Sequence, residues 1–147
     1  MLANDYPDQV CSVARTLEVV GERWTLLILR DVLLGRCRFD ELAESVGVPR
    51  TVLTRRLTRL VEHGVLERRP YQRRPDRFEY VPTPKGRELF PVVALLMMWG
   101  DRHYPAEGGP PRALLHRGCG GRLTERFSCA SCGQSLSFDQ IDAVPAG

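Results

Sequence analysis

Between Phe39 and Tyr80 the spacing of apolar residues changes from a helical period to a strand period. The pattern predicts a short amphipathic helix over Asp40–Val46, a tight turn at Gly47-Val48-Pro49 and a second helix over Arg50–His63 that Gly64 ends. Two β-prone runs follow, Val65–Tyr71 and Arg77–Val81, joined by the polar tip Gln72-Arg73-Arg74-Pro75-Asp76. Helix, turn, helix and basic hairpin in that order predict a winged helix-turn-helix. The major groove of duplex DNA admits one helix, and a basic hairpin beside it can grip the flanking backbone.

The second helix sorts its residues by angle. At about 100° per residue, Leu53, Leu57, Leu60 and Val61 fall on one stripe, which is the expected core face. The other side carries Thr51, Val52, Thr54, Arg55, Thr58, Arg59 and Glu62. Thr51, Val52, Thr54 and Arg55 lie in the first turns, where a recognition helix meets base edges. Arginine takes guanine O6 and N7 as a bidentate fork, and Thr and Val methyls suit the thymine methyl. Arg50 and Arg59 are candidates for holding phosphates. The bland alternative is a solvated charged face. In the hairpin, Arg68, Arg69, Arg73, Arg74 and Arg77 lie within ten residues. Like charges at this density repel unless an anion relieves them, and phosphate is such an anion. Glu67, Asp76 and Glu79 offset part of the charge, so a solvated edge hairpin is the competing reading.

Upstream, Ser12–Val20 predicts a helix stopped by Gly21, and Trp24–Leu34 a strongly apolar, central helix closed by Gly35. Downstream, Thr83 and Pro84 open a helix expected to run to about Tyr104, roughly 30 Å long, with a kink at Pro91. Leu89 to Trp99 is apolar almost all the way round, more than one domain face buries. A homodimer accommodates this, and a two-fold dimer presents two recognition helices to a pseudo-palindromic operator. A fully buried helix in a monomer is the alternative. Trp24, Phe90, Met97 and Trp99 are candidates for a small apolar pocket, with ordinary packing as the other use.

The 147 residues suit one domain and a small appendage, and 43% hydrophobic content supports a globular core. The net charge of +3 is too mild to imply nucleic acid by itself. Met1–Gln9 is polar and lacks the apolar run of a signal peptide, and Val92–Trp99 is too short to span a bilayer, so a cytoplasmic protein without membrane contact is expected. Five cysteines in that setting argue against a disulfide framework. Four ligand-type residues form two pairs, His116-x2-Cys119 and Cys129-x2-Cys132, nine residues apart. Two-residue gaps let both members of a pair reach one tetrahedral ion, and each pair is followed by glycine. The spacing predicts a structural zinc in a ribbon-like tail. A metal-free β appendage and a redox thiol pair are the alternatives. The organisation expected is a DNA-binding and dimerisation domain over 9–105, a Pro/Gly-rich linker over 106–112 and the tail over 113–140.

Several stretches together identify a family. Cys11-Ser12-Val13-Ala14-Arg15, Val20-Gly21-Glu22-Arg23-Trp24-Thr25-Leu26-Leu27-Ile28-Leu29-Arg30 and Arg38-Phe39-Asp40-Glu41-Leu42 resemble the N-terminal core of HxlR-type bacterial regulators. Leu53-Thr54-Arg55-Arg56-Leu57, Glu62-His63-Gly64-Val65-Leu66-Glu67-Arg68 and Tyr80-Val81-Pro82-Thr83-Pro84-Lys85-Gly86 continue the likeness, which spans about Cys11–Tyr104. The resemblance implies a mainly α, dimeric winged-helix protein with a small β-wing, repressing or activating transcription from a duplex operator. Some members of that family sense oxidants or electrophiles through a cysteine near the N-terminus. Cys11 holds that place, although the proline that usually follows is Ser12 here. A small ligand is the other candidate effector. No nucleophile–base set, phosphate loop or carboxylate pair points to catalysis. A winged-helix module that docks protein rather than reading DNA is the competing function.

Overall fold

Residues 5–146 are described by a computed structural model, so the expectation for Met1–Gln9 falls partly outside them. The chain forms two compact units that divide between Val93 and Ala94. The division lies inside a helix, upstream of the Pro/Gly-rich segment read from the sequence as the linker.

The first unit holds helices α1 (Ser12–Val20), α2 (Thr25–Leu33), α3 (Phe39–Val46) and α4 (Arg50–Glu62). A β-hairpin, β1 (Leu66–Gln72) with β2 (Arg77–Pro82), and a one-turn helix α5 (Pro84–Arg87) follow. The core gathers Val20, Ile28, Leu29, Val32, Leu42, Val48, Leu53, Leu57, Leu60, Val65 and Leu66. The turn between α3 and α4 depends on Gly47, whose φ of 71° is left-handed and whose N–H donates to Ala43 O at 3.1 Å. Helix α2, expected to be strongly apolar and central, supplies three core residues from one face. Ile28, Leu29 and Val32 are buried, while Leu27 faces outward. Asp31 on the same helix is buried, with Oδ1 2.9 Å from Arg30 Nε and 3.7 Å from Arg36 Nη1.

The wing has a third member that the sequence pattern missed. Tyr80 N–H donates to Cys37 O at 2.7 Å, and Arg38 bridges Glu79 antiparallel, so the α2–α3 loop pairs with the open edge of β2. Thr83 and Lys85 tie the far end of the hairpin to the end of α4. Thr83 Oγ1 donates to Val65 O at 3.1 Å, and Lys85 Nζ donates to His63 O at 2.7 Å.

The single long helix from Pro84 is broken. After α5 the chain turns through Glu88–Leu89 and resumes as α6 (Phe90–His103). Pro91 supplies no N–H for Arg87 O, and its ring crowds that carbonyl. What continues is about 21 Å long at 1.5 Å per residue. Nor is α6 apolar all round in its surroundings. Val93 and Ala94 are buried, Leu95, Met97 and Met98 are half-buried, and Val92, Leu96 and Trp99 stand out at 41%, 50% and 51% exposure.

The second unit continues from α6 into the tail. Its only regular pairing among the described residues is two-residue strands, β3 (Phe127–Ser128) with β4 (Ser135–Leu136), and a bridge between Leu115 and Arg122. Leu115, Phe127 and Phe138 of the tail are exposed, Phe138 by 94%.

Candidate nucleic-acid interface

Helix α4 presents its two faces as the angular pattern predicts. Leu53, Leu57 and Leu60 are at most 1% exposed, whereas Thr51, Thr54, Arg55, Thr58 and Arg59 are exposed on the other side. Val61 is half-buried against the core. Thr54 Oγ1 donates to Arg50 O at 2.9 Å. Arg55 makes no ion pair among the described residues, so its fork is unengaged. Val52 departs from expectation. It is half-buried and packed against the core.

The arginines divide by what they touch. Arg50 Nη2 lies 2.8 Å from Asp40 Oδ1, and its guanidinium sits 4.8 Å above the Phe39 ring. Both ionic partners are exposed, so the pair is weak and exchangeable. Arg59, the other phosphate candidate of α4, is exposed and already engaged at one nitrogen. Its Nη2 donates to Glu18 O at 3.0 Å, in the last turn of α1, where the carbonyl dipoles attract a cation. Arg56 Nε stands 2.9 Å from Glu22 Oε2, adding a second tie from α4 toward the α1–α2 region. Together with Arg55 these residues line a polar hollow of about 340 Å³.

On the wing, Arg69 is neutralised by Glu67, with both contacts at 3.2 Å, and each group moves its partner's pKa in the direction that favours the ion pair. Arg68 stacks on Phe78 at 3.8 Å, and Arg38 on Tyr71 at 4.3 Å. Arg73, Arg74 and Arg77 have no carboxylate within 4.0 Å among the described residues. The crowding expected from the sequence is therefore relieved at the base of the wing and left open at its tip and return strand. Arg38 is the functional candidate that sequence reasoning missed, since a one-residue bridge leaves no periodicity to detect.

The remaining candidates lie elsewhere. Cys11 is exposed at the N-cap of α1, and the backbone N–H groups of Ala14 and Val13 hold its thiol below the usual range. Cys37 moves the other way. It is half-buried with Sγ 3.4 Å from Glu79 Oε2, and burial together with that carboxylate pushes its thiol up. In the tail each ligand-type pair is closed by the same backbone device. Gly120 N–H donates to His116 O and His116 N–H to Gly121 O, both at 2.8 Å. Gly133 N–H donates to Cys129 O and Cys129 N–H to Gln134 O, again at 2.8 Å. Gly120 and Gly133 have φ of 72° and 73°, which only a residue without Cβ adopts cheaply. His116 Nδ1 is 3.1 Å from Cys119 Sγ, to which Gly121 N–H also donates at 3.4 Å. The two pairs do not meet: among the described residues no three His, Cys, Asp or Glu side chains converge on one metal position.

Similar proteins decide what this arrangement belongs to. The family description HxlR-like helix-turn-helix matches residues 19–108. The chain belongs to the HxlR-like helix-turn-helix family. It is a DNA-binding transcriptional regulator of winged helix-turn-helix fold, and the family is one of regulators rather than enzymes. Similar to it is an HTH-type transcriptional regulator of Mycobacterium bovis, 46% identical over 134 residues, which are 91% of this chain and 85% of the relative. The transcription-factor crystal structure PA1607 superposes with a TM-score of 0.81 at 33% identity, covering 95% of this chain and 97% of that one. The redox regulator HypR in its reduced form gives a TM-score of 0.59 at 30% identity, covering 63% of this chain and 92% of HypR. The tail lies beyond the family match, which ends at residue 108. The mycobacterial match, 134 residues of 147, includes both tail pairs wherever it starts.

Proposed function

We propose that this regulator acts in the bacterial cytoplasm as a homodimer on a pseudo-palindromic duplex operator. Thr51, Thr54 and Arg55 read base edges, with Val52 reduced to a minor contact. Arg50, Arg73, Arg74 and Arg77 hold phosphates. The observation that carries the reading is the two-sided α4, with Leu53, Leu57 and Leu60 buried and an unpaired Arg55 exposed in its first turns. Support for the dimer is the row Val92, Leu96 and Trp99, left uncovered along one side of α6. No helix among the described residues is long and apolar enough to cross a membrane.

The test is operator affinity against base substitution and salt. Arg55→Ala weakens binding by about 1–3 kcal/mol and relaxes preference at one base pair per half-site. Arg73→Ala weakens all sequences alike and flattens the salt slope by about one unit. An unchanged base profile for Arg55→Ala would falsify the assignment of α4. Leu96→Asp, at a position exposed in the protomer, yields a folded monomer by light scattering, and a persistent dimer would place the interface elsewhere.

Two further roles complete the proposal. His116, Cys119, Cys129 and Cys132 bind one structural zinc. Support comes from the matching backbone closure of the two pairs and from a soft N/S donor set. Zinc would supply the charge that draws the second pair onto the first, and the chain itself contributes the two preformed turns. Cys11 serves as an oxidant sensor, supported by its exposure, its helix-N-terminal position and the likeness to a redox regulator.

A further inference from the structure

Within the second unit, the side of α6 between its buried and outward rows does not pack solidly. Met97 and Met98 form one wall of a cavity of about 460 Å³, and Leu114 and Leu123 of the tail form the other. This volume lies in the range of small-molecule sites, roughly 300–1,000 Å³. Four flexible or aliphatic side chains make an adaptable apolar lining, methionine especially, open to solvent beside the exposed Leu123.

Charge decides what kind of molecule suits it. Arg102, Arg112 and Arg122 all line the cavity, and Asp101 is the one acidic residue on its wall. Arg102 is committed to Glu125, with Nη2 donating to Oε2 at 3.1 Å and Nη1 also paired to that carboxylate. Arg112 and Arg122 have no carboxylate within 4.0 Å among the described residues. Arg122 is fixed at its backbone by the bridge to Leu115, on the turn that His116 and Gly121 close. Two unengaged guanidiniums against one carboxylate leave a single net positive charge. A monoanion balances that charge, whereas a phosphate dianion would leave the site with a net negative charge. Guanidinium forks pair bidentately with carboxylates.

We propose that this cavity is a binding site for a small apolar monocarboxylate, its chain between Met97, Met98, Leu114 and Leu123 and its head on Arg112 and Arg122. The site goes beyond the operator reading and names a ligand class for the tail, which the family match does not reach.

The experiment is calorimetry on the full chain as purified, without DNA, so its failure leaves the operator reading untouched. Decanoate is the probe, with decanol lacking the carboxylate and acetate lacking the chain. Decanoate should saturate at one per chain, and decanol and acetate should bind roughly tenfold or more weakly. Arg112→Ala combined with Arg122→Ala should weaken decanoate by a similar factor, and Met98→Trp should fill the cavity and block it, while both variants keep the wild-type circular dichroism spectrum. The inference fails if decanoate does not bind, if decanol binds as tightly, or if both folded variants bind decanoate like the wild type.

Discussion

The winged helix and the tail solve the problem of order in opposite ways. In the first, apolar side chains from four helices and a hairpin converge, and Ile28, Leu29, Leu42, Leu53 and Leu57 are sealed from water. Burying each contributes about 1.5–3 kcal/mol toward offsetting the conformational entropy of ordering the chain. In the tail nearly every side chain is exposed, and the order visible is backbone order, with two glycine-closed turns and two-residue strands. A segment of this kind needs something besides a core. A recognition helix must be rigid on its scaffold, whereas a segment held by local turns and a few polar contacts can respond to a metal or a ligand.

That contrast can be broken most directly by truncating side chains. Leu57→Ala should cost about 2–5 kcal/mol of unfolding free energy, since it leaves a cavity under the recognition helix. Phe138→Ala, at an exposed position, should stay within about 0.5 kcal/mol. Urea unfolding followed by circular dichroism measures both, and comparable losses would mean that the tail has an apolar core after all.

A chemical cut at the tail comes next in size. Cys129→Ser should lose bound zinc by elemental analysis and open the tail to protease, while operator binding persists. Substoichiometric zinc in a wild-type tail that already resists protease, with no response to chelator, would leave packing alone to hold the tail.

The smallest expected effect separates two thiols within the winged helix. Cys11, whose pKa is lowered, holds more thiolate at neutral pH and should be alkylated by iodoacetamide faster than Cys37. As pH falls both rates drop together and Cys11 stays ahead, whereas the advantage of Cys11 disappears as pH rises past both pKa values. Cys37, pushed up by burial and Glu79, gains reactivity only at higher pH. Peptide mass spectrometry across pH reads both, and equal rates at neutral pH would remove the electrostatic case for Cys11.

Much of the molecule was legible from short-range pattern. The i, i+4, i+7 spacing of Leu53, Leu57 and Leu60 assigns the buried side of α4 whatever surrounds it, because helical geometry is local. Gly47 and Pro49 mark the turn, Gly64 the helix end, and Cys-Gly after each pair the two tail turns, since positive φ and a missing N–H are properties of single residues. Pro91 announced a disturbance, and the break falls just before it.

Tertiary structure decided the rest. Val52 packs partly against the core, a contact with residues outside its own helix. Arg59 ties α4 to the end of α1, because Glu18 O lies within its reach. Arg38 joined the wing through one bridge to Glu79, which lies 41 positions later in the chain. The cavity beside Met97 and Met98 exists only because the tail folds back along α6. In each case a side chain's role is set by a surface distant in sequence, and periodicity within one element carries no information about which distant surface arrives.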